Sequence, residues 1–400
     1  MSDIVITGIG AISAIGYSAN EMLSSLKESR HGIAPISILN TTLSATYLAG
    51  EVKLRNEELQ SLSGIEGVQS RTSLLASVAV KEAIDSANIS GVLLQNTGII
   101  SSTTVGGMDH TEAYYHDFKK GKNTNFAKLH PSGQHTNQLA KHFRINAHIS
   151  TVSTACSSAS NAMIIGARLI KSKQLDRVIV GGADALAKFT LNGFKSLMIL
   201  SDEHCKPFDA NRKGLNLGEA AAYVVIESKE VALKRGAKIL ANLEAYANVN
   251  EAYHQTASSP NGDGAFEAMS RTLQMANVDA SQIDYINAHG TGTDNNDSSE
   301  SMAINRLFQA YGTPFSSTKA FTGHTLAAAG GVEAVISVLC LNNGFIPANL
   351  NFKEKIEAAN LTPITKVQTE VKNLNYILSN SFGFGGNNTS LLFSKYKTES

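Results

Sequence analysis

Short apolar runs rich in β-branched residues alternate with longer stretches of mixed polarity along the first half of the chain. Residues 4–10 (IVITGIG) predict a strand, and residues 18–30 and 71–88 have the apolar spacing of amphipathic helices. The later runs RVIVGGADAL and AAYVVIES predict buried strands. Strands that alternate with helices in this way predict an α/β protein.

The same plan begins again near residue 236. AKILANLEAYANV, IDYINAHG and PFSSTKA predict strands, AFEAMSRTLQMANV predicts a helix, and YILSNSFGFG with TSLLFSKY closes the set. The helices predicted after Cys156 and after His324 are both rich in Ala, Gly and Ser, which would let them pack closely between two sheets. We therefore expect a duplicated α/β unit with mixed sheets, divided into residues 1–236 and 237–400.

The polar stretch between Gly106 and Asn146 breaks this alternation. It is expected to be irregular and contains three clustered lysines, Lys119, Lys120 and Lys122. A connector of this length predicts a functional cap or a subunit contact, for which residues 108–135 are the candidate segment, called the cap segment below. A solvated charged loop is the alternative explanation.

Composition narrows the function classes. The 400 residues are 42% hydrophobic, and 34 basic residues balance 34 acidic ones, so no global field attracts nucleic acid or an anionic membrane. The chain opens directly on a strand and has no run of 18 apolar residues, so we expect neither a secretory signal nor a membrane span. Three cysteines make a poor disulfide framework, which favours a reducing cytoplasm.

Cys156 is the first candidate for chemistry. It lies between an apolar strand-like run, INAHISTV, and a helix-like run of small residues, SSASNAMIIGARLI. Free N–H groups and the dipole at a helix N-terminus favour negative charge, which predicts a lowered thiol pKa. The alternative is that Cys156 is one more buried small hydrophobic residue.

Two histidines follow predicted strands in the second half. His289 lies in NAHGTGT, and His324 lies in STKAFTGHTLAAAGG, five residues after Lys319. A metal site of His289 with Asp294 and Asp297 has no recognised ligand spacing. The glycine-rich stretch NSFGFGGNNTS lacks a P-loop lysine and is better interpreted as a loop that brings backbone N–H groups near a substrate. The glycines near the N-terminus fail the dinucleotide pattern, because Ser13 stands where a glycine is required.

The motifs TACSSASNA, KPFDANRKG, NAHGTGT, SSTKAFTGHTLAAAGGVEA and SNSFGFGGNN, in this order, resemble the β-ketoacyl-acyl-carrier-protein synthases. The similarity is to the elongating branch of that family, within the thiolase superfamily, and covers essentially the whole chain. It implies a thiolase-like five-layer αβαβα fold with internal duplication and a dimer.

The resemblance also implies a role for each motif residue. Cys156 would carry the acyl chain, and His289 and His324 would hold the carbonyl oxygen of a malonyl thioester during decarboxylation. Lys319, with Glu333, would anchor hydrogen bonds around His324 and keep the histidines neutral.

The remaining implied residues surround this centre. The backbone N–H groups of Cys156 and Phe384 would form an oxyanion hole, and the Phe384 side chain, supported by Phe382, would act as a gate for the acyl chain. Thr291 and Thr293 would bind the phosphopantetheine arm, and Val105 would limit the depth of the acyl chain. A second mobile loop would contain Glu251, His254 and Thr256.

The implied partner is an acyl carrier protein, whose phosphopantetheine arm delivers the substrates; no cofactor or metal of its own is expected. The docking residues implied for this acidic partner are Lys119, Lys120 and Lys206, with Arg71 and Lys122 less closely matched. A homodimer is implied, with a heterodimer containing a chain-length-factor-like partner as the alternative.

Departures from the family pattern concern the substrate rather than the chemistry. Ala220 replaces a glycine, the cap segment follows the pattern poorly, and TTVGGMD resembles synthases of aryl-polyene or other specialised lipid pathways. A degradative thiolase would need a second cysteine in the GFGGNN loop, an initiating synthase would have asparagine at His324, and a chain-length factor would lack Cys156. A non-catalytic scaffold of the same fold would make the agreement of four catalytic positions a coincidence.

Overall fold

The computed structural model describes residues 3–122 and 127–397. The strands in this part of the chain are β1 (Ile4–Ser13), β2 (Ala34–Pro35), β3 (Leu48–Ala49), β4 (Gly98–Ser102), β5 (Ile149–Val152), β6 (Arg177–Asp184), β7 (Ala220–Ser228), β8 (Ala241–Asn250), β9 (Tyr285–Asn287), β10 (Phe315–Ser316), β11 (Tyr376–Gly383) and β12 (Asn387–Ser394).

The helices alternate with these strands. They are α1 (Ala19–Lys27), α2 (Asn56–Ser63), α3 (Arg71–Ala87), α4 (Gly91–Gln95), α5 (Met108–Lys119), α6 (Gly133–Phe143), α7 (Ser158–Lys171), α8 (Lys188–Ser196), α9 (Lys229–Lys234), α10 (Asp263–Ala276), α11 (Asp294–Phe308), α12 (Lys319–Thr322) and α13 (Ala329–Asn343).

The two halves of the chain repeat one sheet topology. The first half has the strand order β5-β4-β6-β7-β1 and the second has β10-β9-β11-β12-β8, so the first to fifth main strands of each half occupy corresponding places. The directions also correspond, because the first three strands in each order are parallel and the last two are each antiparallel to their neighbour. The expected internal duplication is confirmed.

The two five-stranded units join at their edges. Val5 and Ile6 of β1 pair with Asn242 and Ala241 of β8, which makes one continuous ten-stranded sheet. Helices α7 and α13 contact each other and strands from both halves, whereas α3 packs on β1, β6 and β7 and α10 packs on β8 and β12. Helices thus lie between and outside the two sheet units, as the five-layer prediction requires.

Small residues determine how closely the inner helices approach. A Cβ atom added to Gly330 of α13 would lie 2.1 Å from the Ser160 hydroxyl of α7, so any larger residue would force the helices apart. The alanine- and glycine-rich composition of both helices is therefore a packing requirement. Residues Leu326–Asn343 have a length and apolar composition compatible with a membrane span, but 89% of this stretch is buried inside the protein.

Two local predictions were wrong. The cap segment is not irregular, because α5 and α6 occupy much of the stretch between Gly106 and Asn146; residues 123–126 lie outside the described part. Helix α5 has no buried residue, so its sequence lacks the apolar face that would have indicated a helix. The predicted strand PFSSTKA extends only to Ser316, and α12 begins at Lys319.

Candidate active site

Cys156 lies in a tight turn between β5 and α7. Ala155 immediately before it has a φ of 51°, a left-handed conformation that is costly for a residue with a side chain. The Ser158 hydroxyl stabilises the turn, since it accepts a hydrogen bond from Thr154 N–H at 2.7 Å and donates one to the Ala155 carbonyl at 2.6 Å. The sequence indicated the strand–helix junction but not this strained backbone.

The predicted histidines lie directly beside this cysteine. His289 follows β9, and His324 precedes the 3₁₀ turn Leu326–Ala328. The two rings are 5.4 Å apart between centroids and nearly perpendicular, at 88°. One side-chain atom from each of Cys156, His289 and His324 lies within 4.8 Å of the other two, and all three residues are buried. The structure thus brings together three groups that are up to 168 positions apart in the sequence.

Hydrogen bonds determine which nitrogen of each histidine carries the proton. His289 Nδ1 lies 3.1 Å from Lys319 Nζ, which only donates, and His324 Nδ1 accepts the Leu326 N–H at 3.0 Å. Both Nδ1 atoms therefore accept, and each neutral ring carries its proton on Nε2. Two Nε2–H donors suit an oxyanion, whereas a metal ion would need unprotonated ring nitrogens.

Burial keeps both rings neutral. It lowers the pKa of His324 to about 3 and the pKa of His289 well below its ordinary value, and the positive charge of Lys319 lowers both further. These shifts agree with the expectation of neutral donors, and burial contributes more to them than the lysine does.

The cysteine departs from expectation. Burial raises the pKa of the Cys156 thiol to about 11, and this outweighs the lowering by Lys319 and by the backbone N–H of Phe384. The prediction of a lowered thiol pKa was wrong, because it considered the helix end and not the depth at which that end lies.

Lys319 and Glu333 form a buried ion pair. Lys319 Nζ also donates to the backbone carbonyl of His289, and the Ser381 hydroxyl donates to Glu333 at 3.1 Å. The predicted lysine–glutamate contact is confirmed, but its direct histidine partner is His289 rather than His324.

The glycine-rich stretch forms the turn between β11 and β12, here called the gate loop (residues 383–386). The backbone N–H of Phe384 lies close enough to the Cys156 thiol to lower its pKa, which is the place that an oxyanion hole requires. The Phe384 ring is 37% exposed and stacks on Phe194 of α8, with centroids 6.1 Å apart. Phe382 packs against the His289 ring at 5.9 Å.

The second loop (residues 251–256) contacts the gate loop directly. Gly385 N–H donates to the Gln255 carbonyl at 2.8 Å, and Glu251 N–H donates to the Gly386 carbonyl at 3.1 Å. The Glu251 carboxylate accepts backbone N–H groups of its own loop and of α10, whereas His254 is exposed and accepts the Thr256 N–H.

A cavity of about 380 Å³ opens onto these groups. Cys156, His289, His324, Phe384 and Thr256 are among the residues that line it. The predicted arm-binding residues also line it; they are Thr291 and Thr293, whose hydroxyls are hydrogen-bonded at 2.8 Å.

Val105 lies beside this cavity rather than in its lining. It is 7% exposed in an apolar cluster with Leu215, Leu326 and Phe194, and Leu215 and Phe194 also line the cavity. A chain that extends past the cavity in this direction would meet the cluster that contains Val105.

The predicted docking residues divide into three cases. Lys119 and Lys120 are exposed at the end of α5, and Lys206 is partly buried and paired with Glu203 at 2.9 Å. Arg71 is 7% exposed and forms a buried ion pair with Glu219, so its assignment to a docking surface was wrong. Its sequence position gave no sign of this partner, which is 148 residues away.

Several residues at the site were missed from the sequence. Glu300 accepts the N–H groups of His289 and Gly290, each at 2.8 Å, and Asp297 accepts those of Thr291 and Gly292. These buried carboxylates on α11 hold the loop after β9, so Asp297 is a loop anchor rather than a metal ligand. Two cations, Arg212 and Lys213, line the cavity and were also not identified.

Comparisons with known proteins give one family. Models of the β-ketoacyl synthase N-terminal and C-terminal domains match residues 1–232 and 240–353. The chain is 30% identical to 3-oxoacyl-[acyl-carrier-protein] synthase 2 of Coxiella burnetii and 32% identical to the protein of the same name from Synechocystis, over 98% of each chain.

Solved structures agree with this result. The ishigamide ketosynthase/chain length factor superposes with a TM-score of 0.90 at 30% identity, covering 99% of this chain and 100% of that one. A ketosynthase in complex with its chain length factor from Xenorhabdus doucetiae has a TM-score of 0.80 at 30% identity, covering 99% and 98% of the two chains.

Proposed function

The chain belongs to the β-ketoacyl synthase family, and from this premise we propose which of its residues carry each step of the condensation. It is a condensing acyltransferase of the 3-oxoacyl-acyl-carrier-protein synthase type. Its reaction joins an acyl group to malonyl-acyl-carrier-protein and releases carbon dioxide and a β-ketoacyl-acyl-carrier-protein. The observation that carries the residue assignment is that one ring nitrogen of each of His289 and His324 lies within 4.8 Å of the Cys156 thiol, beside the Phe384 N–H.

In the first half-reaction, Cys156 Sγ attacks the thioester carbonyl of an acyl carrier protein. The bond to the carrier sulfur breaks, the cysteine proton goes to the leaving thiolate, and an acyl-enzyme remains. The N–H groups of Cys156 and Phe384 stabilise the oxyanion of the tetrahedral intermediate. Movement of the Phe384 ring away from Phe194 would admit the acyl chain past the cavity.

In the second half-reaction, malonyl thioester binds with its carbonyl oxygen between His289 and His324. Loss of carbon dioxide leaves the bonding electron pair on the α-carbon, and the enolate oxygen receives hydrogen bonds from both Nε2–H groups. The carbanion then attacks the acyl carbonyl, the bond from that carbon to Cys156 Sγ breaks, and the departing thiolate takes up a proton from solvent to restore the thiol. Removing one such donor costs roughly 3 kcal/mol of barrier. Lys319 and Glu333 hold His289 in its accepting tautomer at Nδ1.

The two halves contribute differently to this chemistry. We assign residues 1–236 the nucleophile and the cap segment, and residues 237–400 both histidines and the gate loop. Their shared strand order supports this division.

Substrate delivery by the phosphopantetheine arm follows from the family, and we assign its contacts to Thr291 and Thr293 on the cavity wall. The carrier protein would dock on Lys119, Lys120 and Lys206. A cytoplasmic location is part of the proposal, because all three cysteines are free, as in a reducing compartment.

We propose a homodimer, with a heterodimer as the second candidate. Strand β5 lies at the sheet edge, pairs with β4 on one side, and carries Ile149 with 43% exposure, features that suit pairing with a second chain. The heterodimer candidate is favoured by the similarity to two ketosynthase/chain length factor structures.

The same two similarities support a second candidate for the substrate. It is a specialised polyene or polyketide chain, as the alternative to a fatty-acyl chain.

Mass spectrometry of the intact protein after incubation with a panel of acyl carrier proteins tests this assignment. We expect one acyl group on Cys156, its loss in Cys156→Ala, and retained malonyl decarboxylation in Cys156→Gln, whose amide occupies the place of an acyl thioester. Elongation by pure Cys156→Ala protein would refute the nucleophile. Normal decarboxylation but no acyl-enzyme in His324→Ala would refute the role of that histidine.

A further inference from the structure

Asp184, the last residue of β6, lies between two segments of the active site. It is fully buried, and its carboxylate accepts six hydrogen bonds from five neutral donors. Four come from hydroxyl and backbone groups of Thr103 and Thr104, at 2.5 to 3.2 Å, one from Val105 N–H at 3.0 Å, and one from Ala327 N–H at 2.8 Å.

The first segment held by Asp184 is the loop after β4. Val105 on this loop belongs to the apolar cluster next to the cavity, and its backbone is fixed by Asp184. The Thr103 hydroxyl, which donates to Asp184, also accepts the Gly106 N–H at 2.9 Å. Loss of these bonds would free the part of the chain that limits the depth of the acyl pocket.

The second segment is the turn after His324. Leu326 has a φ of 54°, and its N–H holds His324 Nδ1 in the accepting state. The next residue, Ala327, is bound by Asp184. The carboxylate thus fixes the strained turn that determines the orientation and the tautomer of His324.

From these contacts we propose that Asp184 is a positioning residue that couples the acyl-pocket loop to the His324 turn, so that chain-length selection and malonyl decarboxylation depend on one buried carboxylate. This inference rests on the proposed function. Asp184 makes none of these hydrogen bonds to the thiol or to a histidine ring, so its effect on their positions passes through Leu326 and Val105; its negative charge also contributes to the raised pKa of Cys156.

The donors predict what Asp184→Asn does. Both oxygens face groups that donate, and backbone N–H groups cannot reverse their direction as hydroxyls can. An amide nitrogen at Oδ1 would oppose the N–H groups of Thr104 and Val105, at 2.9 and 3.0 Å. At Oδ2 it would oppose Ala327 N–H at 2.8 Å and, at the longer distance of 3.2 Å, Thr104 N–H. The less costly orientation therefore keeps the acyl-pocket loop bound and releases the His324 turn.

Decarboxylation and acyl transfer are measured separately. In the Cys156→Gln background, we expect Asp184→Asn to lower kcat for carbon dioxide release from malonyl-acyl-carrier-protein by about 10- to 100-fold, the effect of misplacing a catalytic donor by roughly 1 Å. When Asp184→Asn is made in protein that retains Cys156, the rate of acyl-enzyme formation should change less than about threefold relative to the unsubstituted protein, which is within the uncertainty of comparing two variants. Equal loss of both rates, or an unchanged decarboxylation rate, would overturn the proposal.

Glu51→Gln is the matched control. Glu51 is 2% exposed and accepts backbone N–H groups of Ser37, Ile38 and Leu39, so the substitution creates the same kind of donor conflict elsewhere in the protein. It also removes the ion pair of Glu51 with Lys53, so its loss of stability should be at least as large as that of Asp184→Asn. Thermal unfolding would show a loss of stability in both variants. Only Asp184→Asn should lower the rate of decarboxylation much more than the rate of acyl-enzyme formation. The same separation in Glu51→Gln would overturn the specific role of Asp184.

A second variant tests the other segment. Thr103→Val keeps the side-chain shape and removes the bonds to Asp184 and Gly106. We expect the distribution of acyl lengths accepted by Cys156 to broaden, with decarboxylation retained. An unchanged distribution would overturn the coupling even if Asp184→Asn fails to fold. Failure of the unsubstituted protein to form an acyl-enzyme and release carbon dioxide would refute the proposed function instead.

Discussion

Burial and hydrogen bonding act on the Cys156 thiol in opposite directions. Burial raises its pKa, whereas Lys319 and the Phe384 N–H lower it, and the balance at about 11 leaves the thiol protonated at neutral pH. A protonated thiol is protected from oxidation, since susceptibility follows thiolate character. The nucleophile would therefore be activated only when a thioester carbonyl occupies the oxyanion hole and accepts its charge.

Alkylation of Cys156 should follow this pKa. Because the thiolate fraction increases with pH below a pKa of about 11, labelling by iodoacetamide should rise about tenfold per pH unit between pH 7 and pH 9.5. Peptide mapping separates Cys156 from Cys205, whose pKa burial raises to about 12. A plateau below pH 8 would contradict the raised thiol pKa.

The histidines predict a different pH profile. A histidine with a lowered pKa is neutral above that value, and burial lowers the pKa of His324 to about 3. Decarboxylation by Cys156→Gln should therefore stay constant within about twofold from pH 6 to pH 9. The variant should be kept above pH 6. Because both histidines have lower pKa values in the folded protein than in the unfolded chain, the unfolded chain binds more protons at acidic pH, and the free energy of unfolding decreases as the pH falls. A titration of kcat with a midpoint near 6.5 would show that a histidine proton is transferred.

Motifs in the sequence selected Cys156, His289, His324 and Lys319 as candidates, because chemistry restricts which residue types can stand there, and the structure brings the four side chains together. They did not identify the conformation of Ala155 or the burial of Arg71, since both depend on distant parts of the chain.

The hairpin of β11 and β12 positions the gate loop beside the nucleophile. Strands β11 and β12 hold the gate loop, and Asn387 at the start of β12 accepts hydrogen bonds from Ser157 and Asn161 next to the nucleophile. This fixes the base of the hairpin while Gly385 and Gly386, with φ of 84° and 75°, form its tip. The sequence indicated a loop, but cross-strand pairing and the contact with residues 251–256 required the structure.

Gly385→Ala tests the backbone requirement at this tip. An added Cβ would meet nothing within 4 Å, so the cost is conformational and amounts to about 1–2 kcal/mol for a left-handed residue. We expect slower acyl-enzyme formation, measured by stopped-flow release of the carrier thiol, because the tip must adopt another conformation. Gly193→Ala on α8 is the control, since its Cβ also meets nothing and its φ is not positive. It should stabilise the protein by up to about 1 kcal/mol without slowing acyl transfer; equal rates in the two variants would contradict the requirement.

At the scale of the whole molecule, duplication explains why the site lies where the halves meet. The first half supplies Cys156 at the start of α7, the second supplies both histidines and the gate loop, and α7 and α13 pack together between them. The repeated order of strand and helix signals was sufficient to predict this plan. The sequence could not give the β1–β8 junction, which rests on the pairing of Val5 and Ile6.

The balanced net charge predicts that carrier-protein docking depends on a local patch. Lys119→Glu combined with Lys120→Glu should raise KM for an acidic acyl carrier protein about tenfold at low salt, through slower association, and leave kcat unchanged. Lys173→Glu with Lys234→Glu makes the same change in net charge at exposed positions, and Lys173 follows the end of α7 farthest from Cys156. Because salt screens exposed charges, the difference between the two double variants should shrink as ionic strength rises from 0.01 M to about 1 M. Equal KM values for both variants at low salt would place the docking surface away from α5.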